Sequence, residues 1–341
     1  MQVVFDTGSP DTWVYSPECC YAQDHSFFQP SDSNTYRNRT VSSSGTARIA
    51  AKGTPGADWQ IAYGGGSATE GYIGYDTMSL ANQGLRLDQQ SVALATAITG
   101  ASRRTRAMEG LVGLSNGASS QAPGGWTTPL ESLAKDGRLS KPYLTAALVK
   151  ANRRTGAGGG GNYILGGTDL SLQAGPVVWT PVTSTIYWGI TYDDMQFADA
   201  GSIIPDQTTR SLIVDTGSAL INLPKAAAKQ ANEQLYGSQY SSALRYWLVP
   251  CDTGLPEYEA GLEASAKNQP FVVVIEGQSF AVPPEDFVFY PNSPVPASNA
   301  DGQSRMCISA FQAGPDQFAI LGATFIKNHL VSLVSDAVGH V

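Results

Sequence analysis

One seven-residue pattern occurs twice in this chain, once at its start and once in its second half. Residues 3–9 read VVFDTGS, and residues 212–218 read LIVDTGS. An apolar-apolar-glycine triplet follows each copy, at 111–113 and at 320–322, and the interval from the aspartate to this glycine is the same in both halves. Such a repeat indicates two halves built on one structural unit.

Short apolar runs bounded by turn residues continue along the whole chain. Val3–Phe5, Ser211–Val214 and Phe271–Ile275 are rich in β-branched and aromatic residues, and the runs 60–63 and 163–165 have the same character. Glycine (36 residues) and proline (20 residues) lie between these runs and favour turns. The sequence therefore predicts a mainly β fold.

Few helices are expected. Pro129 and Pro224 each begin a helical pattern, the second running from Lys225 to Tyr236, because a proline stands at the start of each and a glycine follows just past the end. The stretch 153–161 reads RRTGAGGGG and is interpreted as an exposed loop. Its formal G-x-G-x-x-G does not predict a phosphate site, because a strand-like run and not a helix follows it.

The repeated unit carries residues suited to acid–base chemistry. An apolar strand before Asp6 and another before Asp215 would bring both carboxyl groups to the junction of the halves. Two carboxyl groups held this close share one proton, so one can accept a proton while the other donates. The supporting residues expected around the pair are the same in both copies: Thr7 and Thr216 to lock the two loops together, Gly8 and Gly217 to allow close approach, and Ser9 and Ser218 to donate to the carboxylates.

Composition excludes several other classes. The chain has 341 residues, of which 42% are hydrophobic, which is enough for two lobes with their own cores. With 21 basic against 29 acidic residues and no dense basic run, no nucleic-acid partner is expected. No apolar run approaches the length of a membrane span. Only His25, His329 and His340 could join the cysteines at a metal, so neither a metal site nor a cofactor is predicted.

The residues alone do not decide whether the four cysteines are free thiols or form disulfides. Cys251 and Cys307 can be two buried thiols or a disulfide of an exported protein. Cys19 and Cys20 are adjacent, which makes a bond between them strained, and their partner is not assigned.

These motifs resemble the pepsin family of aspartic proteases, and the resemblance extends over nearly the whole chain. It implies a two-lobed acid protease fold with the active-site cleft between the lobes, here 1–160 as the N-terminal lobe and 161–341 as the C-terminal lobe. It also implies that Tyr63, Gly64 and Gly65 lie on a flap over the substrate, with Trp13 as the hydrogen-bonding neighbour of Tyr63. Beyond the two D-T-G-S copies, the segments that carry it are 28–36, 63–67, 74–77, 110–114, 164–167 and 187–188.

The resemblance further implies what the chain does and where. We expect an aspartic endopeptidase without cofactor that cleaves extended peptide or protein substrates beside bulky hydrophobic residues. Its apolar lining is expected to include Val4, Tyr63, Met108 and Leu111. Cys251 and Cys307 match the disulfide of the family's second lobe. A monomer made as a zymogen is expected, outside the cell or in an acidic vacuole-like compartment, with Asn38 in a glycosylation sequon, Asn38-Arg39-Thr40.

Some features depart from the family pattern. Relatives carry further strands before the first D-T-G, whereas this sequence begins only a few residues ahead of Asp6, so we expect the first lobe to be incomplete at its start. Gly65 stands where many relatives have a threonine, and Ala219 where a second hydroxyl is common. Ala323 replaces a frequent aspartate near the pair, from which we expect a shifted pH optimum.

Two other functions fit parts of the sequence. Ser115 lies in a G-x-S-x-G segment with His329 downstream, as in serine hydrolases, but the residues after Ser115 do not predict the helix that a nucleophile elbow needs. A pepsin-like fold kept as an inactive binding or inhibitor protein is the better alternative. The intact D-T-G-S copies favour the enzyme.

Overall fold

A computed structural model describes residues 1–19, 26–49, 56–64, 66–80, 84–100, 108–139, 141, 143–198, 200–205, 210–289, 295 and 305–334. Strands dominate these ranges, which confirms the mainly β prediction. The strands of the first third are β1 (Val3–Asp6), β2 (Trp13–Tyr15), β3 (Arg37–Val41), β4 (Ala47–Ile49), β5 (Ala57–Ala62), β6 (Ala68–Leu80), β7 (Leu85–Thr99) and β8 (Gly110–Gly113).

The remaining strands form four smaller sheets. They are β9 (Tyr143–Ala151), β10 (Gly158–Leu165), β11 (Gly189–Thr191), β12 (Asp194–Phe197), β13 (Ser211–Val214), β14 (Ile221–Leu223), β15 (Gln239–Ser241), β16 (Tyr246–Pro250), β17 (Phe271–Ile275), β18 (Gln278–Val282), β19 (Val288–Phe289), β20 (Met306–Ser309), β21 (Phe311–Ala313), β22 (Ala319–Leu321) and β23 (Val331–Val334). The sheet orders are β10-β9-β23, β11-β13-β22-β14-β21, β12-β17-β18 and β15-β16-β20-β19.

The sequence repeat is also a repeat of topology. In the eight-stranded first sheet, β1 lies parallel to β8, which lies antiparallel to β2, which in turn lies parallel to β7. In the second half, β13, β22, β14 and β21 follow one another with the same directions. Each D-T-G therefore leaves a strand that pairs with the apolar-apolar-glycine triplet of its own half.

Short helices fill in around the sheets: α1 (Pro129–Lys135), α2 (Lys225–Glu233), α3 (Pro256–Ala260) and α4 (Ala323–Ile326). Both predicted helices are present. Thr128 and Glu131 form a reciprocal capping box at the start of α1, which satisfies two amide groups that the first turn leaves open. The helix predicted to reach Tyr236 ends at Glu233, and turns lead from there to Gly237. None of the described helices is long and apolar enough to cross a bilayer.

The glycine-rich stretch was predicted wrongly in part. Only its first residues form a turn, and Gly158–Gly161 are the first half of β10, paired with the end of β9. The four glycines have positive φ values and are exposed, so the backbone pairing alone holds this part of the strand. The predicted lobe boundary after residue 160 falls within β10 and stays a prediction.

Most of the core lies in the second half. Phe197, Phe271, Phe287 and Phe311 pack edge to face at the centre of its largest apolar cluster, with ring centroids 4.9–5.8 Å apart. This cluster also includes residues of the first half, among them Leu114, whose carbonyl accepts a hydrogen bond from the Trp188 indole at 2.9 Å. The strands that carry the two D-T-G segments are thus anchored in shared packing.

Candidate active site

Asp6 and Asp215 lie at the ends of β1 and β13, where the two D-T-G loops meet. Asp6 is 5% exposed, while Asp215 is half-buried and keeps contact with solvent. A Cβ atom on Gly8 would overlap the carboxyl group of Asp215, and one on Gly217 would overlap that of Asp6. Each glycine therefore allows the opposite aspartate to approach the backbone closely, as the sequence predicted.

The threonines cross-link the two loops. The amide of Thr7 donates to the hydroxyl of Thr216 at 3.1 Å, and the amide of Thr216 donates to the hydroxyl of Thr7 at 3.0 Å. Each hydroxyl then donates to a backbone carbonyl of the opposite strand, Thr7 to Val214 at 2.9 Å and Thr216 to Phe5 at 2.7 Å. The arrangement has approximate twofold symmetry and fixes the carboxyl groups relative to each other.

Each aspartate accepts the same pair of hydrogen bonds from its own loop. Asp6 accepts from the Gly8 amide at 2.8 Å and from the Ser9 hydroxyl. Asp215 accepts from the Gly217 amide at 2.8 Å and from the Ser218 hydroxyl at 2.6 Å. These donors favour the ionised form of a carboxylate and fix its orientation.

Burial raises the pKa of Asp6 to about 8, and the charge of Asp215 and a hydrogen bond with it act in the same direction. The hydrogen bonds from Ser9 and Gly8 oppose this shift but do not outweigh it. The neighbouring carboxyl group thus helps to hold the proton on Asp6. Asp6 keeps this proton from mildly acid to neutral pH.

The predicted flap is the hairpin of β5 and β6, with Tyr63 at its turn. The Tyr63 amide donates to the Ser67 carbonyl at 2.8 Å, and the Gly66 amide donates to the Tyr63 carbonyl at 3.0 Å. The indole of Trp13, which is 1% exposed, donates to the Tyr63 hydroxyl at 2.7 Å. Gly64 is exposed at the tip, and Gly65 lies outside the described residues.

The residues predicted for the apolar lining come together in one cluster. Met108 and Leu111 are buried with Trp13, and Val4 and Tyr63 pack against them half-buried. Their contact with substrate stays a prediction. Two residues that the sequence argument missed also lie near the loops. The ring of Tyr163 stacks on Phe5, and the buried Asp11 accepts from the Trp59 indole at 2.8 Å.

The remaining predicted positions are placed as follows. Cys251 and Cys307 form a disulfide between the end of β16 and β20. Cys19 is buried, and Cys20 lies outside the described residues. Asn38 is half-buried on β3, where its side-chain oxygen accepts from the Tyr36 hydroxyl at 2.8 Å, so its glycosylation stays a prediction. Among the described residues, no group of acids, histidines and cysteines could hold a metal ion.

The serine hydrolase interpretation has no geometry to support it. Ser115 is 2% exposed and its hydroxyl is hydrogen-bonded with that of Ser119 in a short 3₁₀ turn. His329 lines the same cavity of about 1290 Å³ as Ser115 but packs against Phe280 and Phe325 and hydrogen-bonds the Ala281 backbone. Burial lowers the pKa of His329 to about 4. The D-T-G carboxylates do not line this cavity.

Comparison with known proteins decides the family. The model of the family described as eukaryotic aspartyl protease matches residues 1–337. The chain belongs to this family. Rhizopuspepsin-4 of Rhizopus niveus is 31% identical over 333 residues, which cover 97% of this chain and 70% of the relative. Rhizopuspepsin of Rhizopus chinensis is 31% identical over 96% of this chain and 70% of its own length.

A more distant relative extends the same picture. Gastricsin of Rattus norvegicus is 29% identical over 84% of this chain and 64% of its own length. The predicted two-lobed pepsin-like fold is confirmed by the family and by the several sheets of the structure, and the protease is of the aspartic endopeptidase type.

Proposed function

We propose that this aspartyl protease cleaves peptide bonds with a water molecule activated between Asp6 and Asp215. The observation that supports the proposal most strongly is the matched pair of loops, in which each carboxyl group has the same two donors and faces the other across the threonine cross-link. Rigid carboxyl groups that share one proton can accept and donate in the same step.

The reaction follows from that single proton. The ionised carboxylate takes a proton from the water molecule while the water oxygen attacks the scissile carbonyl carbon. The protonated carboxyl group donates its proton to the carbonyl oxygen. The resulting diol collapses when the C–N bond breaks: the amine nitrogen takes a proton from one carboxyl group, and the other takes back a hydroxyl proton. Because the pair ends with one proton, no covalent intermediate and no external acid are needed.

Substrates in this proposal are polypeptides bound in an extended conformation beneath the flap. The cluster of Val4, Met108 and Leu111 under Tyr63 is apolar and supports a preference for bulky hydrophobic side chains beside the scissile bond. The preference can be measured by cleavage of a peptide library at mildly acid pH. Enrichment of glycine or charged residues at the cleaved bond would contradict it.

Cys251–Cys307 supports a site of action outside the reducing cytosol, because structural disulfides persist in oxidising compartments. Secretion or an acidic vacuole-like compartment is proposed on this basis. Expression of the full-length gene product with detection in the medium or in acidic organelles tests it, and a cytosolic location would contradict it.

The test of the catalytic proposal is digestion of an acid-denatured protein by the wild type and by Asp6→Asn and Asp215→Asn. We expect each change to reduce turnover at least about 10³-fold while circular dichroism stays unchanged, because a dyad with one carboxylate has no acid–base partner. Asp136→Asn is the matched control, since Asp136 is exposed beyond α1. A statine-type transition-state mimic should block the wild type.

The two alternatives give different outcomes in the same assay. A wild-type chain that binds the mimic but cleaves nothing is an inactive binding protein. Turnover that survives Asp6→Asn and is lost on treatment with serine-directed reagents would contradict the aspartate mechanism.

A further inference from the structure

Each D-T-G loop is supported by the segment that follows the apolar-apolar-glycine triplet of the same half, and the first bond of this support is equivalent in the two halves. Behind the first loop, the amides of Leu114 and Ser115 donate to the Ser9 carbonyl, each at 3.1 Å. Behind the second loop, α4 presents its first two amides: Ala323 donates to the Ser218 carbonyl at 2.7 Å and Thr324 to the Ala219 carbonyl at 3.0 Å. The second bond differs between the halves, and the second loop depends on where α4 lies, because both of its donors are the first residues of that helix.

The far end of α4 is held by a charged anchor that the first half lacks. Lys327 and Asn328 follow directly after α4, whereas the equivalent positions of the repeat are Ala118 and Ser119. The Lys327 ammonium group lies 2.8 Å from one carboxylate oxygen of Asp286. The Asn328 amide group donates to the other oxygen at 2.9 Å and to the Thr324 carbonyl within α4 at 3.0 Å.

Asp286 also joins this helix to a different sheet. The Lys150 ammonium group, which projects from β9, lies 2.8 Å from the same oxygen that Asn328 contacts. Only 8% of the Asp286 side-chain surface is exposed, so this carboxylate is largely desolvated, whereas the side chains of Lys150 and Lys327 are 36% and 26% exposed. Burial opposes ionisation, but the hydrogen bonds from Lys150 and Lys327 outweigh it and hold the pKa of Asp286 below its usual value.

We propose that Asp286 is a positioning residue for the second aspartate loop. Asp286 fixes the C-terminal end of α4. It thereby positions the amides of Ala323 and Thr324, at the N-terminal end, to donate to the carbonyls of Ser218 and Ala219. That placement in turn aims the Ser218 hydroxyl at Asp215, 2.6 Å away. The effect on hydrolysis rests on the function proposed above, while the effect on α4 does not.

Asp286→Asn is the first test, because it keeps the size of the side chain and removes its charge. The two partly exposed ammonium groups then face a neutral amide in place of a carboxylate, and the anchor of α4 weakens because its charge-assisted bonds are lost. We expect kcat to fall about tenfold with KM changed less than about twofold, since Asp286 makes its polar contacts away from substrate. A weaker Ser218 bond disfavours the ionised carboxylate, so the low-pH limb of the rate profile should move to higher pH.

Amide hydrogen exchange gives a readout that needs no activity. Exchange at Ala323 and Thr324 should become faster in Asp286→Asn under conditions where the rest of the chain keeps its protection. If the wild type cleaves no substrate, the catalytic proposal fails, and this measurement still decides the role of Asp286. Unchanged exchange at both amides would overturn the inference.

Three further variants separate positioning from general stability. Lys327→Met removes the ammonium group directly after α4 and should reproduce both the fall in kcat and the faster exchange at Ala323 and Thr324. It also serves as the test if Asp286→Asn fails to fold. Lys150→Met removes only the partner on β9 and should have the smaller effect on kcat. Glu285→Gln is the matched control. This exposed carboxylate lies 3.0 Å from the Lys150 ammonium group, and Glu285 is not part of α4. A Lys150→Met variant that loses kcat while Lys327→Met keeps it would contradict the proposal.

Discussion

Asp6 combines two requirements at the scale of a single residue. It is almost fully buried, and yet its carboxyl group has to stay available for proton transfer with Asp215. Hydrogen bonds from Gly8 and Ser9 stabilise the charged form, while burial and the neighbouring carboxylate favour the neutral form and prevail. A neutral acid held near neutral pH is what the proposed donor role needs.

The raised pKa of Asp6 predicts how the stability of the fold depends on pH. The folded state holds this proton up to about pH 8, whereas in the unfolded chain it is lost near 3.8. Between these values the folded state binds more protons, so this group's contribution to the unfolding free energy is full below about pH 4 and declines as pH rises. Asp6→Asn cannot ionise and should therefore raise the melting temperature relative to wild type increasingly between pH 4 and 8.

Thermal unfolding of both proteins at several pH values measures the effect. The difference in melting temperature should be near zero below pH 4 and largest at pH 8. Asp136→Asn serves as the control and should follow the wild type throughout. A constant offset between Asp6→Asn and wild type would show that the carboxyl group is not neutral in the folded state.

Individual elements followed from the sequence where local chemistry determines them. The start of α1 was predicted from Pro129 at the first helical position, and the structure adds a capping box in which Thr128 and Glu131 satisfy two backbone amides. The strand at Gly158–Gly161 was missed because it results from backbone pairing with β9. Glycine has no side chain, so the sequence shows no alternation of polar and apolar residues there. Asp286 gave no local signal either, since its partners Lys150 and Lys327 are far apart in the sequence.

The hydroxyl of Tyr63 ties the tip of the hairpin of β5 and β6 to the site, because it accepts a hydrogen bond from the Trp13 indole and is hydrogen-bonded with the Ser9 side chain. Tyr63→Phe removes the hydroxyl and leaves a buried indole N–H without this acceptor, which costs roughly 1–3 kcal/mol. The tip should become less ordered above substrate. We expect kcat/KM to fall about tenfold, with a smaller change in the binding of a small mimic that does not reach the tip.

Steady-state kinetics on a peptide substrate tests this role of the hairpin. Tyr240→Phe is the matched control, because Tyr240 is 52% exposed on the distant β15. An equal kcat/KM for Tyr63→Phe and wild type would show that the Tyr63 hydroxyl, and with it the Trp13 contact, has no role in catalysis.

The whole molecule is organised by its duplication. The sequence repeat predicted that two strands would bring Asp6 and Asp215 to one junction, and the structure pairs β1 with β8 and β13 with β22 in the same register of motifs. The repeat could not show what holds the segment behind each loop in place. The amides of Leu114 and Ala323 bond the equivalent carbonyls of Ser9 and Ser218, but the residues that follow them have diverged between the halves.

Thr7 and Thr216 give the duplication its energetic test, because their reciprocal bonds exist only when both halves are in place. Thr7→Val and Thr216→Val keep the side-chain volume and remove the hydroxyl, leaving an amide and a carbonyl of the opposite loop without their partners. Each change should lower the unfolding free energy by roughly 1–3 kcal/mol in denaturant titration. The two losses should add to more than the loss in the double variant, because both changes break one network.

Thr168→Val, at an exposed position, should leave stability unchanged. Strict additivity of Thr7→Val and Thr216→Val would mean that the loops are held independently, and the proposed fixed geometry of the carboxyl pair would lose its support.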